Sequence, residues 1–182
     1  MKKRKITSKL LAVVMILLTV FLTSCGGGNM TDETARAELE RLLPISYELN
    51  EIFWGKGLPY VDDGSGNRYM PVSPDCPYQS VNDILDKAST VFAEEYLNDI
   101  KGGIFTDGDG FEPRYFDLNG VLMVDKTNVG FNVKGNVLIE TAKIKDQNRG
   151  MCVVKAEYAD GGKTEISLVL SDGVWYLNSP SY

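Results

Sequence analysis

The chemistry open to this chain is bounded first by a residue it lacks, for it contains no histidine. Ser–His and Cys–His nucleophile pairs are therefore excluded, and with them the commonest general base and metal ligand. Asp107-Gly108-Asp109-Gly110 has the look of a calcium loop, but an EF-hand needs oxygen ligands at positions one, three and five, glycine at six and glutamate at twelve. Counted from Asp107, the fifth, sixth and twelfth residues are Phe111, Glu112 and Leu118, so the pattern fails. Asp62-Asp63-Gly64 is no closer. Both stretches read as turns, with loose calcium binding by loop carboxylates left open. Carboxylates are plentiful, yet nothing sets a pair at the separation glycoside hydrolysis needs, and Glu94-Glu95 reads as a solvated helix face. Cys76 lies in a Pro-rich loop and Cys152 in a strand-like stretch; a disulfide between them is allowed outside the cytosol, and nothing in the sequence shows whether their Cα atoms lie within about 7 Å. Two such cysteines without histidine make a poor zinc site, and neither a cofactor, a metal nor a catalytic residue is expected. Trp54, Tyr115 and Trp175 could wall an apolar pocket between helices and sheet, core packing being the default for buried aromatics.

The third cysteine, Cys25, is the one set for covalent chemistry. Ahead of it stand a basic flank (Lys2, Lys3, Arg4, Lys5, Lys9) and an uncharged run, Leu10 to Leu22, about 20 Å long if helical. That is short for a membrane span and typical of a signal-peptide core. Leu22-Thr23-Ser24-Cys25 resembles the bacterial lipobox, which implies lipid transfer to the Cys25 thiol and cleavage after Ser24. The expected organisation is a signal peptide over residues 1–24, a lipidated cysteine with a glycine-rich tether over 25–30, and one domain over 31–182. Removing residues 1–24 takes five of the 19 basic residues and none of the acidic ones, leaving 14 against 25. An acidic domain of this kind is a poor partner for nucleic acid or anionic lipid, and suits a partner with a cationic cleft.

The elements that must position these residues fall into two halves. Thr31 or Asp32 can cap a helix whose apolar residues, from Leu39 to Phe53, recur at spacings near three and four, with Pro44 expected to kink or restart it. A short edge strand is expected over 68–72, because Pro71 bars a central position. Ser80 with Asp83 resembles a capping box for a helix to about Ala88, and a further helix is expected over 93–101, stopped by Gly102-Gly103. From Arg114 the period changes to two. Asn119-Gly120 between apolar runs signals a hairpin, and strands over 137–145, 151–158, 163–170 and 174–177 on short turns make a meander. Ile166, Leu168 and Leu170 should share the face that the helices cover. Segregated helices and strands mean an α+β fold, with the N-terminal helices packed on one face of a curved antiparallel sheet, an NTF2-like or cystatin-like cone.

Three stretches, Tyr47 to Gly55, Ser80 to Ile100 and Gly173 to Tyr182, together resemble the IseA family of bacterial cell-wall DL-endopeptidase inhibitors and related NTF2-like domains. The resemblance covers most of the chain beyond Cys25 and rests on aromatic placement and element order. It implies an extracytoplasmic protein that blocks peptidoglycan peptidases by offering an acidic surface to their clefts. From charge and loop context, the residues placed to do so are Asp62 and Asp63, or Asp107 and Asp109 with Glu112. The alternative is an NTF2-like module binding a small apolar ligand, or docking another envelope protein. Metabolic labelling with a fatty acid should mark the protein and carry it into the membrane fraction; an unlabelled, cytosolic protein would overturn the assignment of Cys25.

Overall fold

The computed structural model describes residues 29–106, 112–128, 130 and 136–179. Helix α1 (Asp32–Phe53) starts at Thr31, whose hydroxyl accepts from the Thr34 N–H at 3.2 Å, and carries Asp32 and Glu33 in its first turn. It runs through Pro44 as one helix rather than restarting there. An interior proline costs about 3 kcal/mol. Against that, Leu39, Leu42, Leu43, Leu49, Ile52 and Phe53 are all buried, each contributing about 1.5–3 kcal/mol. Pro44 itself sits on the solvent side. Packing wins.

Strand β1 (Tyr69–Pro71) is followed by α2 (Val81–Ser89) and α3 (Glu94–Ile104). The start of α2 is a capping box: Ser80 accepts from the Asp83 N–H at 3.1 Å while the Asp83 carboxylate accepts from the Ser80 N–H at 2.9 Å. Helix α3 passes through Gly102-Gly103, where a stop was expected, and ends one turn later. Ile100 and Ile104, each 2% exposed, anchor that turn, and their burial exceeds the cost of roughly 1 kcal/mol per glycine.

Strands β2 (Tyr115–Leu118) and β3 (Val121–Asp125) form the hairpin signalled by Asn119-Gly120, whose φ angles of 52° and 80° are those of a type I′ turn. Strand β1 pairs with the other side of β3, which puts Pro71 on an edge strand. Strand β3 is therefore the centre of this sheet, with β1 and β2 at its edges. The second half builds its own sheet: β4 (Val137–Asn148), β5 (Met151–Tyr158), β6 (Lys163–Ser171) and β7 (Val174–Leu177), in the order β4-β5-β6-β7. The fold is α+β, but the strands divide between a three-stranded and a four-stranded antiparallel sheet instead of one. The register of β4 with β5 shifts between Leu138 and Lys143 and again between Ile144 and Asp146, and β4 extends three residues beyond the expected 145.

Helix α1 covers the inner face of the meander, where Cys152, Val154, Ile166, Leu168 and Leu177 are buried. Its first turns also seal the outer edge. The Arg36 Nε–H donates to the Ala142 carbonyl at 3.1 Å, and the Ile144 N–H donates to Asp32 at 2.8 Å. At the opposite edge, the linker between α2 and α3 runs parallel to β7: Ala93 donates to Leu177 at 2.8 Å and Leu177 donates to Val91 at 2.9 Å.

Two identical substitutions should move stability in opposite directions. Gly102 lies in α3 with open space around it and no positive φ, so Gly102→Ala should stabilise by about 0.5–1 kcal/mol. Gly120, also open but at φ +80°, should lose about 1–2 kcal/mol as alanine. Urea unfolding of both variants checks the pair, and shifts of the same sign would contradict the two backbone conformations.

Candidate functional site

The C-terminus of α1 sets where the surrounding loops can go. Its last four carbonyls have no partners within an ideal helix, and here each is met. Asn50 accepts from Trp54 and Gly55, and Glu51 from Gly57 at 2.9 Å. Ile52 accepts from the Tyr115 hydroxyl at 2.9 Å, and Phe53 from Arg114 Nη1 at 3.0 Å. Arg114 is 2% exposed and sends Nη2 to the Gly55 carbonyl at 2.7 Å, so its charge lies at the negative end of the helix dipole. The Tyr115 hydroxyl also accepts from the Leu58 N–H at 3.0 Å. Gly57, at φ +79°, passes so close that a Cβ there would stand 2.7 Å from Arg114 Nη2 and 2.9 Å from the Tyr115 oxygen. No other residue fits.

From this clasp the chain runs out and back as a long hairpin. Val61 donates to Pro71 at 3.0 Å and Ser73 to Pro59 at 2.8 Å, so residues 59–61 line up against β1 and its continuation. Asp62 and Asp63 lie at the tip, both exposed. Each carboxylate folds onto its own loop: Asp62 accepts from the Gly64 N–H at 3.0 Å and Asp63 from the Ser65 N–H at 2.9 Å. Hydrogen bonds from the Ser65 side chain and N–H hold the Asp63 carboxyl below the usual carboxylate range, so it stays anionic.

Glu112 reaches the same end of the sheet. Tyr69 pins its segment, donating its hydroxyl to the Pro113 carbonyl at 3.0 Å and packing edge-on against Phe116. Arg68 lies between, ion-paired to Glu112 on one side and to Asp125 on the other, with Nη2 2.6 Å and Nε 2.9 Å from Asp125 Oδ2. Lys126 Nζ stands 3.7 Å from Asp62. Four carboxylates (Asp62, Asp63, Glu112, Asp125) thus gather around two cations, Arg68 and Lys126, leaving an acidic excess at the tip. Asp125 is 2% exposed. Burial alone would raise its pKa, but hydrogen bonds from Arg68 and Thr127 and the Arg68 charge outweigh it, and the carboxyl titrates below its ordinary value.

Asp107, Asp109 and Cys25 lie outside the described residues. Tyr115 is wholly buried and Trp175 is 8% exposed, both within the packed core, while Trp54 is 38% exposed at the end of α1. Cys76 and Cys152 are buried free thiols. They occupy different surroundings, Cys76 near Tyr78 and Tyr115, Cys152 near Asp32 and Asp146. Burial, with the charges of Asp32 and Asp146, raises the Cys152 pKa and keeps that thiol protonated. Among the described residues no group of three or more His, Cys, Asp or Glu side chains is placed to hold a metal ion.

Reading by sequence missed Arg68, Asp125 and Arg114. The first two read as ordinary polar ends of strands, and their pairing crosses 57 residues. Arg114 read as the first residue of a strand, and arginine is rarely buried; only the orphan carbonyls of α1 explain it. No protein-family model and no curated protein matches this chain.

Asp125 makes a prediction about pH. Its folded pKa is lowered, so its contribution is fully present above the unfolded value of about 3.9 and is lost as pH falls through the lower folded value. Asp125→Asn should destabilise the protein at pH 7 and flatten the acid limb of stability below about pH 4. An unchanged acid limb in chemical denaturation would show that Arg68 does not depend on this carboxylate.

Proposed function

We propose that this protein is an extracytoplasmic binding protein, held on the bacterial membrane by lipid at Cys25, whose acidic hairpin tip engages a cationic surface of another envelope protein. The resemblance to cell-wall DL-endopeptidase inhibitors makes a peptidoglycan peptidase the favoured partner and inhibition the consequence. The observation that carries this reading is the tip itself. Asp62 and Asp63 project on a hairpin whose base is tied to β1, and their carboxylates are pre-oriented by their own turns. A pre-ordered charged loop loses little conformational entropy on binding. The excess of 25 acidic over 14 basic residues beyond residue 24 would speed encounter with a basic cleft. Glu112 is partly neutralised by Arg68, which makes Asp62 and Asp63 the principal contacts and Glu112 secondary. The reading as a pocket for an apolar ligand draws no support from Tyr115 and Trp175, which are spent on the core.

Digestion of purified peptidoglycan by a DL-endopeptidase tests the proposal. The purified chain, in a non-ionic detergent, should slow digestion, and the effect should weaken as salt rises. Asp62→Asn with Asp63→Asn should reduce inhibition at least several-fold while leaving stability nearly unchanged. Undiminished digestion at every concentration of the chain up to roughly 10 μM, which would occupy about nine-tenths of the sites of a complex with a Kd of about 1 μM, would sink the inhibitor reading.

A further inference from the structure

The outer face of the meander is divided along its length. Toward the β5–β6 turn it carries lysines and glutamates paired across strands, such as Lys145 with Glu165 at 2.7 Å and Lys163 with Glu157 at 3.9 Å. On β5, β6 and β7 the charges stop toward the other end, while Asp146 of β4 and Arg149 and Asp172 of the adjoining turns stay exposed at its margins. Met151, Val169 and Tyr176 stand opposite one another on three adjacent strands, and Val174 shares their face two residues from Tyr176. Met151 is 44% exposed and Val174 41%, with Val169 and Tyr176 partly exposed between them. This apolar row opens directly onto a groove of ≈ 750 Å³ between β6–β7 and the start of α3. Phe92 forms part of the groove wall, and Glu94 and Glu95 of the first turn of α3 line its far side. Both glutamates are exposed, neither is in a salt bridge among the described residues, and no lysine or arginine lines the groove.

We propose that this row and groove form a second docking surface, which takes an extended peptide segment of a partner protein carrying alternating apolar and cationic side chains. The apolar row offers contact to one set of side chains, and Glu94 and Glu95 offer unspent negative charge to the other. An extended peptide sends alternate side chains to opposite sides, which matches an apolar row on one side of the groove and two glutamates on the other. Strand addition is not the mode. The β7 edge beside the groove is already paired with residues 91–93, so side chains rather than backbone carry recognition. The surface is separate from the Asp62–Asp63 tip and does not depend on the function proposed for it.

Fluorescence anisotropy with labelled eight-residue probes tests this, using the purified chain in a non-ionic detergent. An alternating Lys/Leu peptide should bind saturably, and Lys/Ser and Glu/Leu counterparts should each bind at least tenfold more weakly. Glu94→Gln with Glu95→Gln should weaken Lys/Leu binding at least fivefold, and so should Met151→Ser with Val174→Ser. Asp62→Asn with Asp63→Asn should leave it unchanged. Circular dichroism verifies folding, and amide shift changes confined to the neighbourhood of residues 151, 169–176 and 92–98 give a readout that needs no variant. Three outcomes would each overturn the proposal: no saturable binding, equal binding of the Lys/Ser probe, or loss of binding through the Asp62 and Asp63 changes instead. Concentration-dependent self-association abolished by the Met151 and Val174 changes would assign the surface to a second copy of the chain, and would overturn it too.

Discussion

The end of a 22-residue helix is the constraint on which the rest of the molecule turns. Four carbonyls at the C-terminus of α1 are drawn into or beside the core, where a single unpaired polar group costs about 1–3 kcal/mol. Arg114 and Tyr115 answer two of them from a strand some sixty residues away, and Gly57 answers a third by turning back through a conformation open to glycine. The cost of burying the Arg114 guanidinium is offset by carbonyl oxygens, by the helix dipole and by the face of Tyr115 at 5.8 Å. One contact set therefore docks the three-stranded sheet onto the helix that also covers the meander.

That helix ties the two sheets together at opposite ends. Near its start, Asp32 and Arg36 bond the backbone of β4; near its finish, the clasp holds β2. Between them a row of leucines fills the space above Ile166 and Leu168. Its underside packed and the meander edges occupied, the molecule presents two surfaces of different character: a charged hairpin tip beside the small sheet, and an apolar strip with an acidic border on the large one. The tip depends on the clasp for its position, because residues 59–73 leave directly from Gly57 and Leu58 and return to pair beside β3.

Much of the local structure was open to reading without coordinates. Asn119-Gly120 requires two positive φ angles, and the pair adopts them. Ser80 and Asp83 cap each other because four consecutive residues contain both partners. Pro71 could only be an edge residue. Gly102-Gly103 misled, because a pair locally unfavourable to a helix is overruled by isoleucines buried against distant elements, and Pro44 did not restart α1 for the same reason. The division into two sheets was equally hidden, since alternation within a strand states which face is buried but not which strand will be its neighbour.

The site divides along the same line. Residue types alone establish that histidine chemistry is absent, that the chain beyond residue 24 is acidic, and that Asp62-Asp63-Gly64 is a turn, because these are properties of composition and of contacts spanning two or three residues. Folding decided that Arg68 and Lys126 would stand among the carboxylates and draw Glu112 and Asp125 to the same end. It also buried Tyr115 and Trp175 as core and set Glu94 and Glu95 across a groove from Tyr176. Such pairings join residues separated by tens of positions. They are chosen by burial and by the demand of every buried polar group for a partner, and neither quantity exists until the chain has closed on itself.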